Sequence, residues 1–217
     1  LPIHHELLDL LAIQFIESGL RTKALHRFIM SSATYRLSSI IPATRKLSEQ
    51  TAADPDNTLL WHANRRRLDL EQMRDTLLSI SGQLDATMYG RPLLIEDPQN
   101  QRRTVYSFVE RQNLPNVVQI FDSANADSST ARRPNTTVAQ QALFAMNSPF
   151  METISKSLAQ RLNTNSPREK TILLYQLTLG RFPTPSEVTL GLNYTTDHPW
   201  QDYAQILLMS NELWFID

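Results

Sequence analysis

SPFMETISKSLAQRLNTNSPREKTILLYQLTLGRFPTPSE, residues 148–187, carries one signal three times: Ser148-Pro149, Ser166-Pro167 and Thr184-Pro185. In each, a hydroxyl able to accept an orphan backbone N–H stands directly before a proline, whose fixed φ suits the first helical position. Glu169 and Glu187 follow three residues after their hydroxyls, so two of the starts read as capping boxes. Starts spaced 18 residues apart leave room for a helix of about 13 residues and a short connection, so neighbouring helices should run antiparallel. Residues 200–213 predict a fourth helix. The apolar positions of the segments do not superimpose, so the pattern is a bundle rather than a repeat array.

Upstream, Asp69-Leu70-Glu71-Gln72 has the form of a capping box, and Leu70, Met73, Leu77, Ile80 and Leu84 follow at alternating spacings of three and four. Arg67 and Glu71, one turn apart, read as an outward, solvated ion pair. Residues 4–18 place Leu7, Leu8, Leu11, Ala12, Phe15 and Ile16 on a helical face that Gly19 ends, and 22–31 turn Leu25, Phe28 and Ile29 inward. Residues 32–55 read as loop, and Asp54-Pro55 as the start of a short helix through Trp61. Arg102 to Val109 is β-prone, Asn113-Leu114-Pro115-Asn116 breaks it, and 122–130 is a polar loop. The expected architecture is mainly α: one compact helical bundle over 1–217, with an amino-terminal helical part (1–85), an irregular middle holding a short β-like element and a long central loop (86–135), and a carboxy-terminal bundle (136–217). The chain reads as a fragment of a longer protein.

Composition narrows the function classes. Hydrophobic content of 41% with 20% charged residues is that of a globular domain able to bury a core, and five glycines against twelve prolines favour helices with hard stops over a turn-rich β protein. A net charge of −1 gives no field toward nucleic acid, and Arg65-Arg66-Arg67 is followed at once by Asp69, Glu71 and Asp75 without interleaved aromatics. No cysteine is present, which excludes disulfides, thiolate chemistry and cysteine-ligated metal or haem in this segment. No apolar stretch reaches membrane-spanning length, and nothing resembles a signal peptide. Of 21 basic residues four are lysines and 17 arginines, an excess read first as base composition and second as selection for anion binding.

The segment ARRPNTTVAQQALFAMNSPF, residues 131–150, holds the clearest request for a partner. Thr137-Val138-Ala139-Gln140 matches a capping box, with Thr136 able to replace Thr137 by a shift of one. Arg132 and Arg133, just upstream, are unfavourable beside the positive end of a helix unless an anion offsets them. They define a candidate constellation with Arg103, Tyr106, Arg111, Asp122, Asp127, Thr136 and Thr137. Three readings apply: an arginine–carboxylate network that pins loops, a pocket for an anion or glycan acid, or an acid–base pair drawn from Glu110, Asp122 and Asp127. Asp122, Asn125 and Asp127 form an oxygen-rich loop of the kind that can bind calcium, although they lack EF-hand spacing and its glycine. His5 and Asp9 stand at i, i+4 beside His4, with no further metal ligand near, and read as a solvent-facing cap. Trp61, Trp200 and Trp214 read as core.

Ordered blocks along the chain resemble a known family: His4-x-Glu6-Leu7-Leu8-Asp9; Leu25 to Arg36; Asn64 to Asp69; Ser81-Gly82-Gln83-Leu84-Asp85; Arg103-x-x-Tyr106; Asn113-Leu114-Pro115; Phe121-Asp122; Thr136-Thr137-Val138-x-Gln140-Gln141-Ala142-Leu143-Phe144-x-Met146-Asn147; and Leu179-Gly180-Arg181-x-Pro183-Thr184-Pro185-x-Glu187. The sequence is similar to the planctomycete-specific carboxy-terminal domain of unknown function found in large proteins that often carry a cytochrome-c-like domain. His5 departs from the family's usual proline, and Thr130 lies near an expected cysteine. The resemblance implies a periplasmic or cell-surface setting, partners among upstream domains of the same polypeptide, and haem on an upstream domain with no cofactor in this segment. It carries no catalytic residues. The functional expectation is an exported helical module binding a protein partner or an anionic ligand, such as an acidic glycan. The alternative is a hydrolase or redox enzyme acting on extracellular polysaccharide through the central loop.

Overall fold

A computed structural model describes residues 3–41, 51–124, 127–131 and 133–216. The fold is mainly α, with one two-stranded sheet, and the chain divides into two compact units, Leu1–Arg66 with Asp217, and Arg67–Ile216.

In the first unit, α1 (His5–Glu17) packs on α2 (Thr22–Met30). Gly19, at φ +74°, ends α1, and the Leu20 amide closes on the Phe15 carbonyl at 3.0 Å. Leu11 and Phe15, one turn apart, are half-buried, as are Leu25 and Ile29; no side chain of either helix is buried, and Leu7, Leu8, Ile16 and Phe28 are exposed. The inward turn expected for Phe28 is therefore corrected, and the apolar face read for α1 leaves Leu7, Leu8, Ala12 and Ile16 exposed. Apolar residues occupy nearly every side of α1, so the spacing alone could not pick one. The helix expected from Asp54 is corrected too. The buried Asp54 carboxylate accepts the Thr58 amide, the Thr58 hydroxyl and the Leu59 amide, all at 2.8 Å, which folds the segment into an Asx-type loop. Asn57, at φ +52°, accepts the Trp61 amide, so Trp61 sits on a loop rather than a helical face. His4 contacts the Thr58 carbonyl at 2.7 Å.

The second unit has its core on α6. Its helices are α3 (Leu70–Ser81), α4 (Asn116–Ile120), α5 (Ala139–Asn147), α6 (Pro149–Gln160), α7 (Pro167–Leu179), α8 (Pro185–Asp197), α9 (Trp200–Leu208) and α10 (Asn211–Trp214). α6 touches α3, α5 and α9, burying Met151, Ile154 and Leu158. Ser155 on α6 and Ala204 on α9 are both fully buried, and their small side chains suit a close crossing of these helices. The three hydroxyl-proline starts cap α6, α7 and α8: Ser148, Ser166 and Thr184 accept the amides of Met151, Glu169 and Glu187 at 3.2, 3.4 and 3.3 Å. Glu187 returns the bond to the Thr184 amide at 2.7 Å, completing the box. Glu169 does not return one to Ser166, because its carboxylate takes the Thr164 hydroxyl instead.

The expected fourth helix is broken near Met209, giving α9, α10 and then β2 (Phe215–Ile216), which pairs with β1 (Arg66–Arg67). The Trp214 carbonyl accepts the Leu68 amide at 2.8 Å, which turns the chain out of helical geometry. The β-prone run from Arg102 reduces to bridges Asp85–Arg102 and Leu93–Ser107 around a 3₁₀ turn, Thr104–Tyr106. Arg102 holds the loop beside it through the carbonyls of Arg91 (3.1 Å), Thr87 (3.0 Å) and Tyr89. Gly180, at φ +68°, ends α7, and Arg181 then forks onto Glu187 (2.8 and 2.9 Å) and Glu212 (2.5 and 2.8 Å), tying α8 to α10.

Candidate functional site

Two features of the second unit merit chemical reading: a polar clamp ahead of α5, and a cavity beside α3. The clamp centres on Arg67, which the sequence suggested as a solvated ladder residue. It is 4% exposed, because its place on β1 turns the side chain inward. Its guanidinium donates to Asp122 Oδ2 at 3.2 Å, to the Thr136 carbonyl and to Gln141 Oε1, and lies 5.7 Å from the Phe121 ring centre. Asp122, at φ +55°, also accepts the Thr136 amide at 2.8 Å and the Thr136 hydroxyl at 2.8 and 2.9 Å. Burial alone would raise the Asp122 carboxyl; the Thr136 donors and Arg67 outweigh it and hold the carboxyl below the usual carboxylate range. A group held ionised in this way is poorly suited to donate a proton near neutrality.

Helix α5 begins one residue later than the Thr137–Gln140 pattern implies. Val138 is the residue before it, and Gln141, not Gln140, turns back. The buried Gln141 side chain receives Arg67 and the Val138 amide and donates to the carbonyls of Ile120 (2.8 Å) and Thr136 (3.1 Å). Thr136 spends its hydroxyl on Asp122. Thr137 is exposed and borders a smaller cavity of about 140 Å³ with Arg67, Val138 and Trp214.

Of the candidate constellation, Asp122 and Thr136 come together, and the guanidinium that joins them is Arg67. Arg133 instead pairs with Glu71 at 2.8 Å, each side chain about a third exposed. Arg103 faces Asp75 at 3.6 Å, and Asp75 also accepts the Thr104 amide and hydroxyl, both at 2.7 Å. Tyr106 lies under Arg102, 4.4 Å from guanidinium to ring centre. Arg111 is exposed with no ion pair among the described residues, Asp127 is exposed, and Arg132 lies outside the described residues. The described arginines of the constellation thus do not converge on the start of α5: Arg133 and Arg103 each pair with α3, through Glu71 and Asp75.

The cavity, about 310 Å³, opens between α3, residues 95–101, α4 and the junction of α5 with α6. Leu70, Met73, Leu78, Ile95, Val117, Ile120, Phe144 and Phe150 make its apolar wall. Set into that wall is Arg74, 4% exposed. It donates to the carbonyls of Arg102 (2.9 Å) and Asn100 and to the Thr104 hydroxyl (3.3 Å), and its Nε–H is buried without an acceptor. The Phe150 ring centre is 5.6 Å away. Burial pushes the guanidinium down from its ordinary value, with Asp75 opposing. Asn100 braces the floor, donating to the Leu94 carbonyl at 2.9 Å and accepting the Arg102 amide at 3.2 Å. Glu96 and Asp97 stand at the rim. The sequence does hold a signal for this site: Arg74 falls on the α3 stripe of Leu70, Met73, Leu77, Leu78 and Ser81, where charge is out of place.

No group of three or more His, Asp or Glu side chains fit to hold a metal occurs among the described residues, and no described helix is long and apolar enough to cross a membrane. The family model described as PSD1, protein of unknown function (DUF1553), matches residues 1–195. No curated protein and no solved structure matches the chain significantly.

Proposed function

The chain belongs to the PSD1 family (DUF1553), whose function is unknown, and we propose that it is a binding module whose ligand site is the cavity beside α3. One observation carries this reading: an apolar hollow of about 310 Å³ that keeps a buried guanidinium in its wall. The volume falls at the lower end of small-molecule sites, and an apolar wall with few polar groups is their usual composition. The clamp ahead of α5 supports an acidic-glycan site less well, because Arg67 and Arg133 already face Asp122 and Glu71. In the wider setting we propose, the module is exported to the periplasm or cell surface of a planctomycete and serves a larger polypeptide whose upstream domains carry haem. The ordered sequence blocks support that setting.

Indole, a neutral aromatic that fits such a space, tests the reading. At tenfold its Kd it should stabilise the protein by about 1.4 kcal/mol, raising Tm by roughly 3–6 °C. Thr153→Trp, at the cavity wall, should abolish that rise. If indole leaves Tm unchanged up to its solubility limit, the cavity is not a ligand site.

A further inference from the structure

Arginine stays charged at any physiological pH, and a buried charge is costly unless something negative answers it. Arg74 has no carboxylate at ion-pair distance among the described residues. Its three acceptors, two carbonyls and a hydroxyl, are all neutral. The nearest anion, Asp75, is committed to the Thr104 amide and hydroxyl and to Arg103. A guanidinium has five N–H donors. Three are used here; Nε–H is buried without an acceptor, and Arg74 lines the cavity. The molecule thus holds a positive group fixed by the Asn100 and Arg102 backbone, in contact with an apolar space and missing its counter-charge.

Resting on the reading of the cavity as a ligand site, we propose that it takes a small monocarboxylate with an apolar body, the carboxylate answering Arg74. The body faces Leu70, Met73, Val117, Phe144 and Phe150. A planar carboxylate matches a guanidinium edge better than a spherical anion does, and the low dielectric around Arg74 strengthens the pairing. Glu96 and Asp97 set the charge number. Among the described residues the Asp97 carboxylate accepts only the Gln99 amide, at 2.8 Å, and Glu96 is exposed, so the rim is negative. A second negative charge on the ligand would face them. This rim turns away dicarboxylates and sulfated glycans while admitting one carboxylate.

Titration calorimetry on the full chain, with 3-phenylpropanoate, 3-phenylpropanamide and phenylsuccinate as probes, decides the matter. The acid should bind at least tenfold tighter than its uncharged amide, and the dianion at least fivefold weaker than the acid. Arg74→Met should erase the preference for acid over amide while amide binding persists. Arg74 also ties down residues 100–104; should this variant fail to fold, the acid–amide comparison on the unaltered protein carries the test alone. Glu96→Gln should improve phenylsuccinate binding at least threefold; no change there removes the rim from the account. Equal affinities for acid and amide, with indole still binding, would overturn the anion anchor and leave the cavity reading intact. If none of the probes nor indole binds, both fail together.

Discussion

Replacing Gly191 with alanine sets two effects of known sign against each other. Gly191 lies inside α8, where alanine is favoured over glycine by about 1 kcal/mol. Against that, an added Cβ would meet the Tyr203 hydroxyl oxygen at 2.7 Å and both Tyr203 Cε1 and Thr171 Cγ2 at 3.0 Å. Carbon atoms pack best at about 3.5–4.0 Å, so neighbours on two sides must each yield by roughly 0.5 Å or more. Neither has room: Tyr203 is 6% exposed and Thr171 not at all. Overpacking of this kind costs about 1–3 kcal/mol. The clash should win, leaving Gly191→Ala destabilised by about 1 kcal/mol, with Tm lower by some 2–4 °C. Urea denaturation followed by circular dichroism measures it, and Tyr203→Phe supplies the control by deleting the nearest oxygen. In that background Gly191→Ala should cost at least ~0.5 kcal/mol less, a coupling readable from the double-mutant cycle. A stabilised single variant, or a cycle that closes to zero, would refute the close contact of Gly191 on α8 with Thr171 on α7 and Tyr203 on α9.

Hydrogen bonds from Arg181 hold the Glu187 carboxyl at about 2 against an ordinary 4.5, burial opposing. A depressed carboxylate contributes stability that is complete above about pH 4.5 and drains away as pH falls toward 2. Since Arg181 is 36% exposed, solvent screening reduces the contribution to about 1 kcal/mol, so Glu187→Gln should cost that at pH 7 and little at pH 2. Equal costs at both pH values would sink the assignment. Arg67→Lys should cost about 2–4 kcal/mol, because an ammonium cannot reach Asp122, Thr136 and Gln141 together, whereas Arg133→Lys, in a half-solvated pair, should cost under about 0.5 kcal/mol. Chemical denaturation of the two variants side by side checks the contrast, and similar losses would contradict it.

What could be read beforehand was local. Ser148, Ser166 and Thr184 cap their helices because hydroxyl, proline and first turn sit within four residues, and the stripe on α3 follows from a period inside one element. What escaped depends on groups distant in the chain. A two-residue strand has no period to detect, so nothing near Arg67 announced that Trp214 would draw its neighbour out of a helix. The capping pattern pointed to Thr137 or Thr136, yet the helix starts behind Val138, which has no hydroxyl to offer: Asp122 claims Thr136 across 14 positions, and Gln141 accepts the Val138 amide. At the cavity the warning was present, since Arg74 interrupts an apolar stripe, but its missing counter-charge appears only once residues 100–104 fold over it.

The arginines also explain how so little sheet suffices. Arg67, Arg74 and Arg102 together donate to carbonyls of Thr136, Arg102, Asn100, Arg91, Thr87 and Tyr89, loop groups that in a β-rich protein would be served by a neighbouring strand, and Arg161 serves the last-turn carbonyls of Ser79 and Ile80 on α3. A forked donor is thus a portable substitute for a strand edge. A protein knitted this way trades sheet registry for a few indispensable stitches. Pulling one should unravel a whole loop at once, so its homologues should drift freely in loop sequence while keeping the forks.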